Sequence, residues 1–213
     1  SEDILMLKHR YKLMHKLLGS HWLSFTVTAS EQTHVDIVAR EVVQTINITN
    51  LLSAVYTALF ANSSVVAGDL AGVVSAREQL MGRIEQQWRR HGMPLRPVQS
   101  IEDWIDYLSE MTFYMAVDST TGESHVPSLG PVPFKEYMSQ LPPNWAEFVN
   151  HDHYVWHSCR ARVKQSTVEF RAACQQPFQD QMVVPALSLG IIQSMQDIEN
   201  WLEGQRPIAE WWH

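Results

Sequence analysis

The stretch "STVEFRAACQQP", Ser166 to Pro177, decides how the rest of the chain reads. It opens as a strand, because Thr167, Val168 and Phe170 are β-branched or aromatic. Glu169 and Arg171 stand two residues apart in it, and in a strand that spacing puts both on one face. An acid and a guanidinium therefore lie side by side next to an apolar run. If they are exposed, they form an ion pair of small energetic consequence. If they are buried, partners must satisfy them. A divalent cation and a polyphosphate would be such partners, since carboxylate oxygen suits Mg²⁺ and the arginine fork matches phosphate. Both readings stand at this point.

Toward the C-terminus, Pro177 suits the first turn of a long helix over Phe178–Glu203, with Ile191, Met195, Ile198 and Leu202 on one face. The aromatic tail "PIAEWWH" docks on the body or on another subunit. Immediately upstream, "HDHYVWHSCR" (His151–Arg160) invites a metal reading. Extended, it puts His151, His153 and His157 on one face; helical, it makes His153 and His157 neighbours. The alternative is three ordinary hydrogen-bonding histidines beside Trp156.

Further back, "FTVTASEQTHVDIV" (Phe25–Val38) alternates over its whole length and predicts one long strand. One face is nearly apolar, while the other, which carries Gln32 and His34, is wholly polar and meets either water or a ligand. A first helix ends at Gly19. Ala39–Ala61 reads as one helix whose second half, "LLSAVYTALFA", is apolar all round and so should be buried. Asn62–Ser75, with Gly68 and Gly72, reads as a loop, and Ala76–Arg90 as another helix. Ser100 caps a helix opening at "SIEDWIDYL", with Asp103 three residues on. "TFYMAVDSTTGESHV" turns at Thr121-Gly122 between two strands, "PVPFKEYMSQL" is a short helix begun by proline, and Leu141–Asn150 is a connector. The sum is a helix-rich α+β fold with a few mostly antiparallel strands in a single domain, residues 1–213.

The composition restricts the function. At 45% hydrophobic and 18% charged, the chain can bury a core. With a net charge of −7 and no basic run, nucleic acid and anionic membrane are poor partners. No apolar run reaches the ~18 residues of a membrane span, the N-terminus is too charged for a secretory signal, and cytoplasm is the default. Cys159 and Cys174 fit reduced thiols or one disulfide. Phosphate-loop, dinucleotide-loop, zincin and nucleophile-elbow signatures are absent.

Several pieces occur in one order: Arg10-Tyr11, "TASEQTHVDI" (Thr28–Ile37), "ALFANSSVVAGDLAGVVSAR" (Ala58–Arg77), "RRHG" (Arg89–Gly92), "HDHYVWHSCR" and "TVEFRAACQQP". Over about residues 9 to 200 this order resembles the glutamate–cysteine ligases of bacterial and plant-like type, a family of carboxylate–amine ligases. The resemblance implies a curved antiparallel sheet related to glutamine synthetase, with ATP and Mg²⁺ on its concave face. In that chemistry ATP phosphorylates a carboxylate, usually the γ-carboxylate of glutamate, and an amine attacks the acyl phosphate. Carried residue by residue, Glu169 becomes a metal ligand and Arg171 a phosphate-facing arginine. Arg77, Arg90 and Arg160 become holders of substrate carboxylate or phosphate, and Gln32 and His34 line the cavity.

The family's "E-x-E" strand, which completes its metal cage, lies upstream of anything that matches Arg10. Smaller departures are Ser64, Met81, Arg89, His157 and Cys174, where the family has other residues. The resulting expectation is the C-terminal portion of a split ligase, with a second polypeptide supplying the acids. The alternatives are a shortened relative with a changed, metal-dependent job, and a non-catalytic binding or regulatory subunit. A half-sheet has an open edge, so a partner chain or self-association is expected.

Overall fold

The computed structural model describes residues 9–84, 90–140, 142 and 144–212. Helix α1 (His9–Leu18) stops at Gly19, whose φ of +68° only glycine adopts readily. Helix α2 (His21–Val27) follows, and strand β1 covers only Thr33–Asp36. The long strand expected over Phe25–Val38 is therefore corrected to a helix end, an irregular piece and a short strand. Packing explains the difference. Phe25 stacks on Trp22 at 4.8 Å and meets Trp156 at 5.1 Å, and this aromatic cluster holds its segment helical against the alternation. The alternation governs only the strand, where Val35 turns inward while His34 and Asp36 are exposed.

A 3-10 turn (Ala39–Glu41) leads into α3 (Val42–Leu51) and α4 (Ser53–Leu59), whose axes bend by 53°. The single helix expected over Ala39–Ala61 is thus broken. Fully buried Asn50 donates to the carbonyls of Ile46 (2.8 Å) and Cys159 (2.9 Å) and accepts the Cys159 N–H (3.1 Å). These bonds pin the end of α3 to the sheet, and α4 turns away so that Tyr56 meets Phe170 at 5.5 Å. Nor is α4 buried all round, since Val55 is 58% and Leu59 63% exposed. Taken together, α3 and α4 have the length and apolarity of a membrane span, but no single helix among the described residues does.

The Asn62–Ser75 loop contains a hairpin, β2 (Val65–Val66) and β3 (Asp69–Leu70), turned by Ala67 and Gly68 at φ +54° and +94°. Helix α5 (Ala76–Met81) is far shorter than the expected Ala76–Arg90; residues 85–89, Arg89 included, lie outside the described residues, as do Glu2 and Asp3. Strand β4 (His91–Gly92) and helix α6 (Ile101–Ser109) come next, with Ser100 Oγ accepting the Asp103 N–H at 3.1 Å as the cap expected there. Strands β5 (Ala116–Val117) and β6 (Ser124–His125) pair around the expected turn, and α7 (Phe134–Ser139) follows.

The expected connector at Leu141–Asn150 is largely helix α8 (Trp145–His153), capped by Asn144 Oδ1 on the Ala146 N–H at 3.0 Å. Phe148 and His151 carry it onto Phe134. Strand β7 (Trp156–His157) pairs with β4 in parallel, while β8 (Cys159–Arg162) and β9 (Thr167–Phe170) complete an antiparallel sheet of order β1-β9-β8. The last helix is also divided. A 3-10 turn (Phe178–Asp180) precedes α9 (Val183–Gln193), and α10 (Met195–Gln205) departs at Ser194. Helix α9 packs on β1 and α10 on α3, two directions that one straight helix cannot serve. The tail docks on the body, where Trp212 Nε1 donates to the Pro94 carbonyl at 2.9 Å.

One sheet face carries Val35, Val168, Phe170 and Cys159 into a core shared with α3, α4, α9 and α10. By the two-residue period, the other face carries His34, Asp36, Thr167, Glu169, Arg160 and Arg162. Every charged side chain of the sheet is on that second face.

Candidate functional site

The register sets His34 opposite Glu169 and Glu169 opposite Arg160, one row across three strands. Glu169 is 3% exposed. Arg160 Nε donates to its Oε2 at 2.7 Å, and Arg171 Nη1 to its Oε1 at 2.6 Å. Arg162 Nε lies 3.5 Å from Oε2, and His34 Nε2 3.8 Å from Oε1. Arg160 Nη1 also donates to the carbonyls of Asp152 (3.1 Å), His153 (3.2 Å) and Val155. Two of these carbonyls belong to the last turn of α8, so the guanidinium closes that helix and is fixed by it. Asp152 Oδ2 is 3.8 Å from Arg162 Nη1.

Among the described residues, three guanidiniums thus pair with two carboxyls in a desolvated place. Burial alone would raise the Glu169 pKa, but Arg160 and Arg171 outweigh it and hold the carboxyl at about 2. Burial, then Arg160, brings Arg171 down to about 9, and the same two causes lower Arg162. Burial raises Asp152 against the pull of Arg160 and Arg162. His153 is pushed down to about 4 by desolvation and by Arg160 and Arg162. The pattern is a surplus of positive charge. The buried Nε of Arg171 has no hydrogen-bond partner among the described residues, and that of Arg162 has only its 3.5 Å ion-pair contact with Glu169. Leaving such groups unmet is unfavourable, and an anion would meet them.

Two clefts open beside this cluster. One, about 660 Å³, is lined by Arg162, Lys164, Arg10, Asp152 and His153. The other, about 490 Å³, is lined by Arg77, whose charge acts on Arg171. The structure therefore gathers Glu169, Arg160, Arg171 and His34, with Arg77 close by. It adds Arg162 and Asp152, which sequence reasoning did not single out. Arg162 had a usable signal, being two residues after Arg160 and so on the same face; Asp152, at a helix end, had none.

The remaining candidates lie elsewhere. Arg90 donates to the carbonyls of Tyr154 (3.1 Å) and Thr112 and sits 4.3 Å from the Tyr114 ring, tying core segments together. Gln32 precedes β1 and donates to Ser30 Oγ at 3.4 Å. The three histidines occupy separate surroundings. His151 Nε2 is 2.7 Å from the Leu108 carbonyl, its ring stacks on Phe134, and burial followed by Arg90 pushes it down to about 3. His157 sits near the rings of Trp104 and Tyr107, and His153 lines the larger cleft. Among the described residues no group of three or more His, Cys, Asp or Glu side chains could hold a metal ion.

No curated protein matches the chain. The model of Glutamate-cysteine ligase family 2 (GCS2) matches residues 1–201. These ligases use ATP, typically with Mg²⁺. The arginine cluster fits a phosphate or carboxylate. The described residues do not by themselves fit Mg²⁺, because both oxygens of Glu169 are committed to guanidiniums. With a family match over nearly its whole length, the chain belongs to glutamate-cysteine ligase family 2, a family of ATP-dependent ligases.

Proposed function

We propose that the chain is one component of an ATP-dependent carboxylate–amine ligase that forms an amide through an acyl phosphate, with glutamate's γ-carboxylate as the acceptor of the phosphoryl group. In balance, the carboxylate takes the γ-phosphoryl group and ADP leaves; the amine then displaces phosphate, losing a proton. The observation that carries this reading is the buried cluster of Arg160, Arg162 and Arg171 around Glu169, with charge surplus to its two carboxyls. Such a cluster stabilises negative charge that grows on a transferring phosphoryl group or a leaving carboxylate oxygen. Arg171 and Arg160 face phosphate, Arg77 and His34 face the amino-acid substrate, and Glu169 keeps the guanidiniums in place. Mg²⁺, when bound, screens the phosphates. Its carboxylate ligands come from outside the described residues, and we assign them to a second polypeptide.

The test is ADP release with glutamate and a panel of amines, measured on the chain alone and with a co-encoded partner. The expected result is Mg²⁺-dependent release by the complex, reduced at least about 100-fold in Arg171→Ala. A complex that binds ATP but releases no ADP with any amine would make the chain a binding subunit and overturn the ligase reading.

A further inference from the structure

We infer that Glu78 and His91 are positioning residues for Arg77, and that the cleft before Arg77 holds its ligand through one anionic group. Which substrate the cleft serves rests on the ligase reading above; the positioning rests on geometry alone.

The backbone around Arg77 is locked first. Its N–H donates to Ser63 Oγ at 3.0 Å, while Ser63 donates its own N–H to the Val74 carbonyl (3.0 Å) and accepts the Ala76 N–H (3.2 Å). The side chain is then oriented by Glu78. Neighbours i and i+1 on a helix point away from each other, so contact between Arg77 and Glu78 is not given by α5 itself. Yet Arg77 Nη1 donates to Glu78 Oε1. The other oxygen, Oε2, lies 2.8 Å from His91 Nε2. His91 comes from a different element, β4, held by pairing with β7 and by the Ser158 N–H on the Gly92 carbonyl at 2.9 Å. The carboxylate is thus clamped between two elements and bends back onto Arg77. All three side chains are largely buried, at 6%, 16% and 13% exposed for Arg77, Glu78 and His91.

This clamp settles an electrostatic conflict. The charge of Arg77 acts on Arg171, and the oxygens of Glu169 are already committed to Arg160 and Arg171. Without Glu78, Arg77 would face the charge of Arg171 with no counter-ion of its own among the described residues. With it, Arg77 stays at the cleft, and its buried Nε has no partner among the described residues. Arg77 is the only charged side chain among the described residues that line this cleft of about 490 Å³. Asn62 and Gln176 add neutral amides, and Val27, Leu80 and Pro177 make apolar wall. The ligand that fits has one anionic group, carboxylate or phosphate, on an otherwise neutral body.

The experiment follows the arginine Nε–Hε signals of the full chain by ¹H–¹⁵N NMR. The Arg77 signal is assigned by its loss in Arg77→Lys. Inorganic phosphate and acetate are titrated separately, so the two arms tell phosphate from carboxylate. A saturable shift of the Arg77 signal with at least one probe is expected. Glu78→Gln and His91→Ala should weaken that binding about 10-fold or more, the worth of one charge-assisted hydrogen bond. His91→Gln, which can still donate to Glu78, should recover most of it, a rescue that a merely structural role would not give. An Arg77 signal that ignores both probes overturns the inference, as do Glu78→Gln and His91→Ala chains that bind like wild type. Absence of ADP release in the ligase assay would leave this result standing, so the two readings fail separately.

Discussion

Replacing Glu169 by glutamine keeps the shape of the site and removes the charge between Arg160 and Arg171. The cost can be worked in two ways. The carboxyl ordinarily titrates at 4.5 and here at about 2, a difference of about 2.5 units, or about 3 kcal/mol at 1.36 kcal/mol per unit. Removing one partner from a buried ion pair independently costs about 3–5 kcal/mol. Because the folded-state pKa is depressed, this stability is complete above pH 4.5 and is lost as pH falls toward about 2. Urea denaturation followed by tryptophan fluorescence reads both effects. At pH 7 the midpoint should fall by about 1–1.5 M at unchanged slope, for a slope of about 2–3 kcal/mol/M. Between pH 4.5 and 2 the stability difference between wild type and Glu169→Gln should shrink toward zero. That difference isolates Glu169 from His151 and His153, which titrate in both proteins. A variant within about 0.5 kcal/mol of wild type at pH 7, with a parallel acid limb, would show that the guanidiniums do not depend on this carboxylate.

Three further outcomes are expected. Asn50→Ala strands the buried N–H and carbonyl of Cys159 and should cost about 2–4 kcal/mol in the same assay. Cys159 and Cys174 are both buried free thiols, and burial pushes Cys159 up to about 12. Ellman's reagent should therefore find neither in the native chain at pH 8 and both after unfolding. Trp212→Phe removes the bond to the Pro94 carbonyl and should cost about 1–3 kcal/mol while speeding proteolytic trimming of the tail.

What the sequence disclosed was local chemistry with short-range consequences. Gly19, the Ser100–Asp103 cap and the Thr121-Gly122 turn each act within a few residues, and each stands where the pattern put it. The pairing of Glu169 with Arg171 on one face followed from the strand period alone. What stayed hidden was decided across the chain. Phe25 is helical because Trp22 and Trp156 hold it, and the Ala39–Ala61 helix breaks because Asn50 bonds to a strand more than a hundred residues later. Likewise Arg160 is positioned by the end of α8, in a stretch whose sequence fits an extended or a helical form equally, so Asp152 could not be placed beside the arginines. The arginines were legible as residue types; their shared counter-ion, and the departure of Arg90 into the core, were not.

The charge of the cluster constrains the order in which ligands can arrive. Arg160, Arg162 and Arg171 carry three positive charges, Glu169 returns one, and burial draws Asp152 toward its neutral form. A divalent cation approaching Glu169 alone would add to that surplus and would have to displace a guanidinium from one of its oxygens. A phosphate or carboxylate does the opposite, since it neutralises the surplus and meets the Nε of Arg171, which has no hydrogen-bond partner among the described residues. Anion first, or anion and cation together, is therefore the favoured order, and Mg²⁺ alone should give no binding heat at millimolar concentration while ATP with Mg²⁺ does. Saturable binding of Mg²⁺ by itself, abolished in Glu169→Gln, would mean that the carboxylate leaves its arginines readily, and the account of the site as an arginine cradle set by Glu169 would fall.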